Sequence, residues 1–179
     1  KEDKLIYWPA AKSLHHSIRS GLLYHIVRML RSAEAISKVY EGINTDLLFA
    51  GVIIHDLSKI GELDANELGI AEYTKEGQLL GHIIMGVEEI DRTGRETGAS
   101  DEVILLLKHM VISHHYEADY GSPKKPAFIE AELLHHIDMI DARVYDYQNA
   151  TKSVEAGSFS EPVWSLDRRC IYKPMLKET

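Results

Sequence analysis

Gly51-Val52-Ile53-Ile54-His55-Asp56-Leu57-Ser58-Lys59 is the stretch that decides how this chain of 179 residues is read. An apolar helical run ends in adjacent His55 and Asp56, and ionisable side chains there are costly unless paired or metal-bound. Imidazole nitrogen suits transition metals, and a neighbouring carboxylate can bridge two of them. The dipeptide alone is common, and a helix end where polarity resumes by chance explains it as well. The residues around it change that balance.

Outward from this stretch the pattern is helical. Leu22, Ile26, Met29, Ala33, Ile36 and Tyr40 form one stripe over residues 21–40. Thr45 or Asp46 is positioned to cap a second helix running to about Ile60. Residues 64–75 read as a loop. A third helix is expected from about Glu76 to Thr93, followed by a break at Gly94 and Gly98. Ser100 or Asp101 caps a fourth, ending near His115. The loop Tyr120-Gly121-Ser122-Pro123-Lys124-Lys125-Pro126 precedes a long helix from about Ala127 to Lys152. Little alternates with period two, so no sheet of consequence is expected. The fold class is all-α: one helical bundle over residues 1–179, with 1–8 as an N-terminal extension and 157–179 as a packed tail.

Five of these helices aim His or Asp inward. His25 falls on the buried stripe of the first, three residues after Leu22. His82 follows Leu79 by three and precedes Gly86 by four, repeating the arrangement. His114 and His115 end the most apolar helix. Asp138 lies four residues after Leu134 and four before Ala142, where a carboxylate needs a cation or several donors. A single such residue is more often a satisfied core group than a ligand. Five helices doing it together are better explained by a metal site in the bundle core.

The order His25, His55-Asp56, His82, His114-His115, Asp138 resembles the HD superfamily of metal-dependent phosphohydrolases in its two-metal form. The blocks Pro9-Ala10-Ala11-Lys12-Ser13-Leu14-His15-His16, Gly21-Leu22-Leu23-Tyr24-His25, Glu76-Gly77-Gln78-Leu79-Leu80-Gly81-His82-Ile83, Ser113-His114-His115 with Tyr120-Gly121-Ser122-Pro123, and Glu130-Ala131-Glu132-Leu133-Leu134-His135-His136-Ile137-Asp138 resemble the HD domain of YhaM-type 3′-to-5′ exoribonucleases. The likeness runs from about Pro9 to Lys173.

That resemblance implies a ligand set and roles. His25, His55, Asp56 and Asp138 would hold one metal, and Asp56 would bridge to a second held by His82, His114 and His115. Asp141 rivals Asp138 as last ligand, and Asp138 is preferred because superfamily members usually place the ligand first in such a step. Asp56 and Lys59 would be the catalytic pair, with Lys59 contacting or protonating a phosphate oxygen. Ser58 departs from the glycine common at its position, which serine's tolerant backbone makes a mild change. His16, Gly121 and Ser122 are candidate substrate contacts. For His16, paired with His15, capping or surface packing competes equally, and for Gly121-Ser122 a plain turn does. The cofactors implied are two divalent transition-metal ions, manganese first, with iron, cobalt, nickel and zinc suited to the same ligands. Two such ions would activate a water for in-line attack on phosphorus.

Composition bounds the function. Twenty Lys and Arg against 28 Asp and Glu leave a net charge of −8, which disfavours autonomous duplex binding. Single-stranded nucleic acid or a nucleotide, held locally at the metals, is the expected partner. The one cysteine, Cys170, excludes an internal disulfide and points to a reducing cytoplasm. No apolar run reaches the ~20 residues that span a membrane. The chain starts at Lys1 without Met, and the resembled family's N-terminal OB-fold module is not in it, so either a trimmed protein or a stand-alone relative is expected. The leading function is 3′-to-5′ hydrolysis of single-stranded RNA, with DNA as a second candidate substrate, as a metal-dependent exonuclease. A nucleotidase or cyclic-nucleotide phosphodiesterase is the alternative, and a non-catalytic nucleic-acid-binding regulator is third. Tyr73, Tyr116 and Tyr120 are candidates to stack on a base, with packing as the default for each.

Overall fold

A computed structural model describes residues 2–12 and 18–176. His15 and His16, including the expected substrate contact at His16, lie outside the described residues. The remainder is helical, as expected: α1 Glu2–Leu5, α2 Gly21–Ser37, α3 Thr45–Ile54, α4 Lys59–Glu62, α5 Lys75–Thr97, α6 Asp101–Ser113 and α7 Ile129–Thr151.

Two apolar clusters hold the bundle. Met29 and Ala33 of α2, Leu48 and Val52 of α3, Met110 of α6 and Ala131, Leu134 and Ile137 of α7 are fully buried together. Each contributes roughly 1.5–3 kcal/mol of burial for its larger side chains. Trp8, Ala10, Leu22, Ile26 and Ile60 form the second cluster, beneath the chain that follows the His55-Asp56 pair. Trp8 ties α2 to α4, since its indole N–H donates to the Lys59 carbonyl at 3.1 Å and its own carbonyl accepts from Leu22 N at 3.1 Å.

The helix ends differ from expectation in instructive ways. Asn44, rather than Thr45 or Asp46, caps α3 by accepting from Leu47 N at 3.0 Å. That helix stops at Ile54, and a turn carries His55 to Ser58 before α4 begins. Tyr40 lies beyond the end of α2 and is exposed, so the buried stripe stops short of it. Ser100 caps α6, accepting from Val103 N at 3.3 Å. Helix α5 does not break at Gly94 but runs to Thr97 and ends on left-handed Gly98. Gly94 instead lets α6 approach, since a Cβ there would sit 2.6 Å from Ile104 Cγ1.

Residues 64–75, expected as loop, hold a short antiparallel hairpin: β1 Leu63–Ala65 pairs with β2 Ala71–Tyr73, Leu63 opposite Tyr73. Its strands are too short for an alternating pattern to be legible. The C-terminal tail carries bridges between Phe159 and Tyr172 and between Val163 and Arg169. Leu166 in the tail is buried, and Arg143 of α7 donates to the Ser165 carbonyl at 3.0 Å. Among the described residues, no helix is long and apolar enough to cross a membrane.

Candidate metal centre

The five long helices bring their inward His and Asp residues to one place. His25 comes from the second turn of α2. His55 and Asp56 sit where α3 ends, and His114 and His115 where α6 ends. His82 lies just after Gly81, whose φ of 71° and ψ of 161° break α5. That break is why the spacing from Leu79 misled: Leu79 is 74% exposed, while His82 is turned inward by the kink. Asp138 faces the site from α7.

Ring centroids step across the site in an unbroken series. His25 to His55 is 5.5 Å, His55 to His114 5.2 Å, His114 to His115 4.0 Å and His115 to His82 5.3 Å. Asp56 stands in the middle. Its Oδ1 is 3.4 Å from His82 Nε2 and 3.8 Å from His114 Nε2, and its Oδ2 is 3.4 Å from His55 Nε2. His25 Nε2 lies 3.2 Å from Asp138 Oδ1.

The other ring nitrogens are anchored outward. His55 Nδ1 and His114 Nδ1 donate to the Val52 and Val111 carbonyls at 2.9 and 2.7 Å. His115 Nδ1 donates to the Tyr120 carbonyl at 2.6 Å. His25 Nδ1 donates to Asp141 Oδ2 at 2.8 Å, and His82 Nδ1 to Glu62 Oε1 at 3.1 Å. These bonds leave Nε2 as the nitrogen each ring offers to the centre.

The result is a set of buried atoms with no hydrogen-bond partner: His55 Nε2, Asp56 Oδ1, His82 Nε2 and His114 Nε2. Buried polar atoms are nearly always satisfied, so four orphans converging on one spot call for something between them. The donor set, imidazole nitrogen with carboxylate oxygen, fits a divalent transition metal. Ligand atoms of His25, His55 and Asp56 lie within 4.8 Å of one another, as do those of His82, His114 and His115.

The electrostatics suit a cation. Burial opposes charge on Asp56, yet Lys59 and His55 outweigh it and hold the carboxyl well below the usual range. Lys59 Nζ donates to Asp56 Oδ2 at 2.7 Å. Burial also works against the Lys59 ammonium, but Asp56 beside it raises the group above its ordinary value. Burial keeps His114 and His115 below the ordinary histidine value, so both are neutral and their lone pairs are available. Against burial, Asp138 and Asp141 raise His25 to about 9, so the metal-free ring holds a second proton on Nε2, towards Asp138, that a cation would replace.

Sequence reading gave Glu62 no role and offered Asp141 only as the rival ligand to Asp138. Glu62 and Asp141 anchor His82 and His25, and Arg28 Nε donates to Asp141 Oδ1 at 2.6 Å. His135 Nδ1 donates to the His114 carbonyl at 2.7 Å, which gives that histidine a supporting place. Of the rest, His109 Nε2 accepts from Ala127 N and His136 pairs with Glu132 on the surface. Ser122 is buried, and its hydroxyl accepts from His115 N at 3.0 Å. Gly121 makes the left-handed turn before it, at φ 95°. Tyr120 is 72% exposed beside His115, whereas Tyr116 packs on His135 with Lys125 over its other side.

The sequence profile of the HD domain matches residues 22–143, which span every one of these inward residues from His25 to Asp138. This chain belongs to the HD domain family. Membership implies divalent-metal binding, and the His/Asp clusters are the groups able to provide it. The HD chain is 47% identical over 174 residues to a 3′-5′ exoribonuclease YhaM of Geobacillus sp., covering 97% of this chain and 53% of that protein. To the 3′-5′ exoribonuclease YhaM of Bacillus subtilis it is 43% identical over 173 residues, 97% of this chain and 54% of the relative. To that of Listeria welshimeri it is 44% identical over 173 residues, 97% and 55%. The HD chain thus spans about half the length of the curated relatives it matches. No solved structure matches it.

Proposed function

We propose that this HD domain is the hydrolytic part of a metal-dependent 3′-to-5′ exonuclease acting on single-stranded RNA. The observation that carries the reading is the convergence of three orphaned imidazole nitrogens, from His55, His82 and His114, on Asp56, whose Oδ1 is orphaned too. Similarity to the YhaM exoribonucleases over nearly the whole chain supports the substrate class.

We assign His25, His55, Asp56 and Asp138 to one cation, and His82, His114, His115 and the shared Asp56 to a second. Asp138 is preferred over Asp141 because Asp141 is already engaged by His25 Nδ1 and Arg28, while Asp138 lies on the Nε2 side. Manganese is the first choice of metal, with iron, cobalt, nickel and zinc suited to the same donors. When bound, the two cations supply charge neutralisation at the phosphate and an acidified water as nucleophile.

The chain's own residues do the rest. Asp56 serves both halves, one oxygen toward His82 and His114 and the other toward His55. Lys59 keeps its proton beside Asp56, where the ammonium can turn to a phosphate oxygen as negative charge develops. The turn at Gly121 and Ser122 forms a wall next to His115, Ser122 acting through the His115 backbone, and His16 is kept as a substrate contact on the sequence likeness alone. The single, exposed Cys170 suits a reducing compartment, and we assign the activity to the cytoplasm.

The test is product analysis with manganese on a short single-stranded oligoribonucleotide, a nucleoside monophosphate and a cyclic nucleotide. Stepwise release of 5′-mononucleotides from the 3′ end is expected. Turnover of the monophosphate or cyclic nucleotide with the oligonucleotide left intact overturns the reading in favour of a small-nucleotide hydrolase, which the net charge of −8 would suit.

A further inference from the structure

The five inward histidines are anchored in two different ways. His55 and His114 each donate Nδ1–H to the carbonyl three residues earlier, in the last turn of their own helix. Carbonyls there have no intrahelical partner, so the helix end itself supplies the acceptor. His115 uses the Tyr120 carbonyl of the following loop. His25 and His82 have no such resource. His25 lies inside α2, where carbonyls are taken by the helix, and His82 follows the break at Gly81. Both turn to a carboxylate far away in sequence: Asp141 at 2.8 Å and Glu62 at 3.1 Å.

These two histidines fall in different halves of the centre, His25 with His55 and Asp56, His82 with His114 and His115. Each carboxylate is itself fixed. Arg28 Nε holds Asp141, and the His82 backbone N–H, at 2.9 Å, holds the same Glu62 oxygen that takes the ring proton. A carboxylate behind a histidine fixes its tautomer and makes the inward nitrogen more basic than a carbonyl would.

We propose that Glu62 and Asp141 are paired positioning residues, one for each half of the centre, each governing the hold on a single ion. The inference rests on the two-ion reading above. It assigns Asp141 a role distinct from that of Asp138, and Glu62 a role where the family likeness pointed to none.

Manganese titration calorimetry, with bound metal counted after desalting, tests it without any substrate. Wild-type protein should take up two ions. Glu62→Ala should weaken one of them about 10–100-fold and leave the other within about threefold, and Asp141→Ala should do the same to the other ion. Glu62→Gln and Asp141→Asn keep the shape and an acceptor oxygen, so they should fold as wild type and weaken their own ion by a smaller factor, about 3–10-fold. In a His82→Ala background, Glu62→Ala should change nothing further, whereas Asp141→Ala should weaken the remaining ion. Wild-type protein that takes up fewer than two ions overturns the two-ion reading and this inference with it. Two ions in the wild type, with both weakened alike or neither affected in the Gln and Asn variants, overturns this inference alone.

Discussion

The Lys59 ammonium sits 2.7 Å from Asp56 Oδ2, one turn further along the chain, and both groups are buried. Lys59 therefore offsets charge on the Asp56 oxygen that faces His55, while Oδ1 faces His82 and His114. Lys59→Ala should keep bound metal at wild-type level while lowering kcat on the order of 10²–10³-fold, the size of losing one aimed charge or donor. Metal analysis beside single-turnover kinetics checks this, and loss of metal in the variant would make Lys59 structural.

Asp56→Ala should remove metal from both halves, because its two oxygens face one half each. It also strands the Lys59 charge in a buried site. Breaking a buried pair from one side costs about 3–5 kcal/mol. Thermal unfolding of the metal-free variant should therefore show a lower Tm than metal-free wild type. Retained hydrolysis with manganese contradicts the shared role.

Gly81 takes a φ of 71° with ψ of 161°, a region that is essentially glycine's alone. Gly81→Ala should cost about 1–3 kcal/mol of stability and displace His82, so metal affinity falls as well. The variant should then keep the metal affinity of the half built on His25 and lose that of the half built on His82. Denaturant unfolding and metal titration together read both effects.

Asp91 on α5 holds Arg95 at 2.9 Å and Lys108 of α6 at 2.8 Å. Hydrogen bonds from Arg95 and then Lys108 depress its carboxyl to about 2. A depressed carboxylate contributes stability that is complete above its ordinary value near 4 and lost as pH falls towards 2. Wild type should therefore lose Tm over that window more steeply than Asp91→Asn. Equal slopes for the two proteins contradict the link between α5 and α6.

The proposed ligand positions were legible because a histidine or carboxylate on an apolar helical face breaks a strong pattern. His25, His55, His114 and Asp138 all stood out in that way. His82 was read as a ligand too, although by a spacing from Leu79 that the kink at Gly81 makes invalid. Glu62 and Asp141 were not legible as anchors. An acidic residue on a helix ordinarily means a solvated face, and only the tertiary approach of α4 to α5 and of α2 to α7 shows what they hold. The hairpin was hidden by its brevity, and Gly94 read as a helix break because a packing glycine and a terminating one look alike in sequence.

The hairpin's stem closes tightly. Thr74 N donates to the Glu62 carbonyl at 2.9 Å, and Thr74 Oγ1 to the Gly61 carbonyl at 2.8 Å. The chain thus leaves the core and returns at one point, directly behind the residue that anchors His82. A loop with clamped ends can change length cheaply, since each doubling costs only ~0.6 kcal/mol. Residues 66–68, the exposed tip ahead of Gly69 where the loop rests on the Arg19 backbone, are accordingly a place where this architecture can accept an inserted peptide, a tag or a lineage's own elaboration while the chemistry beneath stays put.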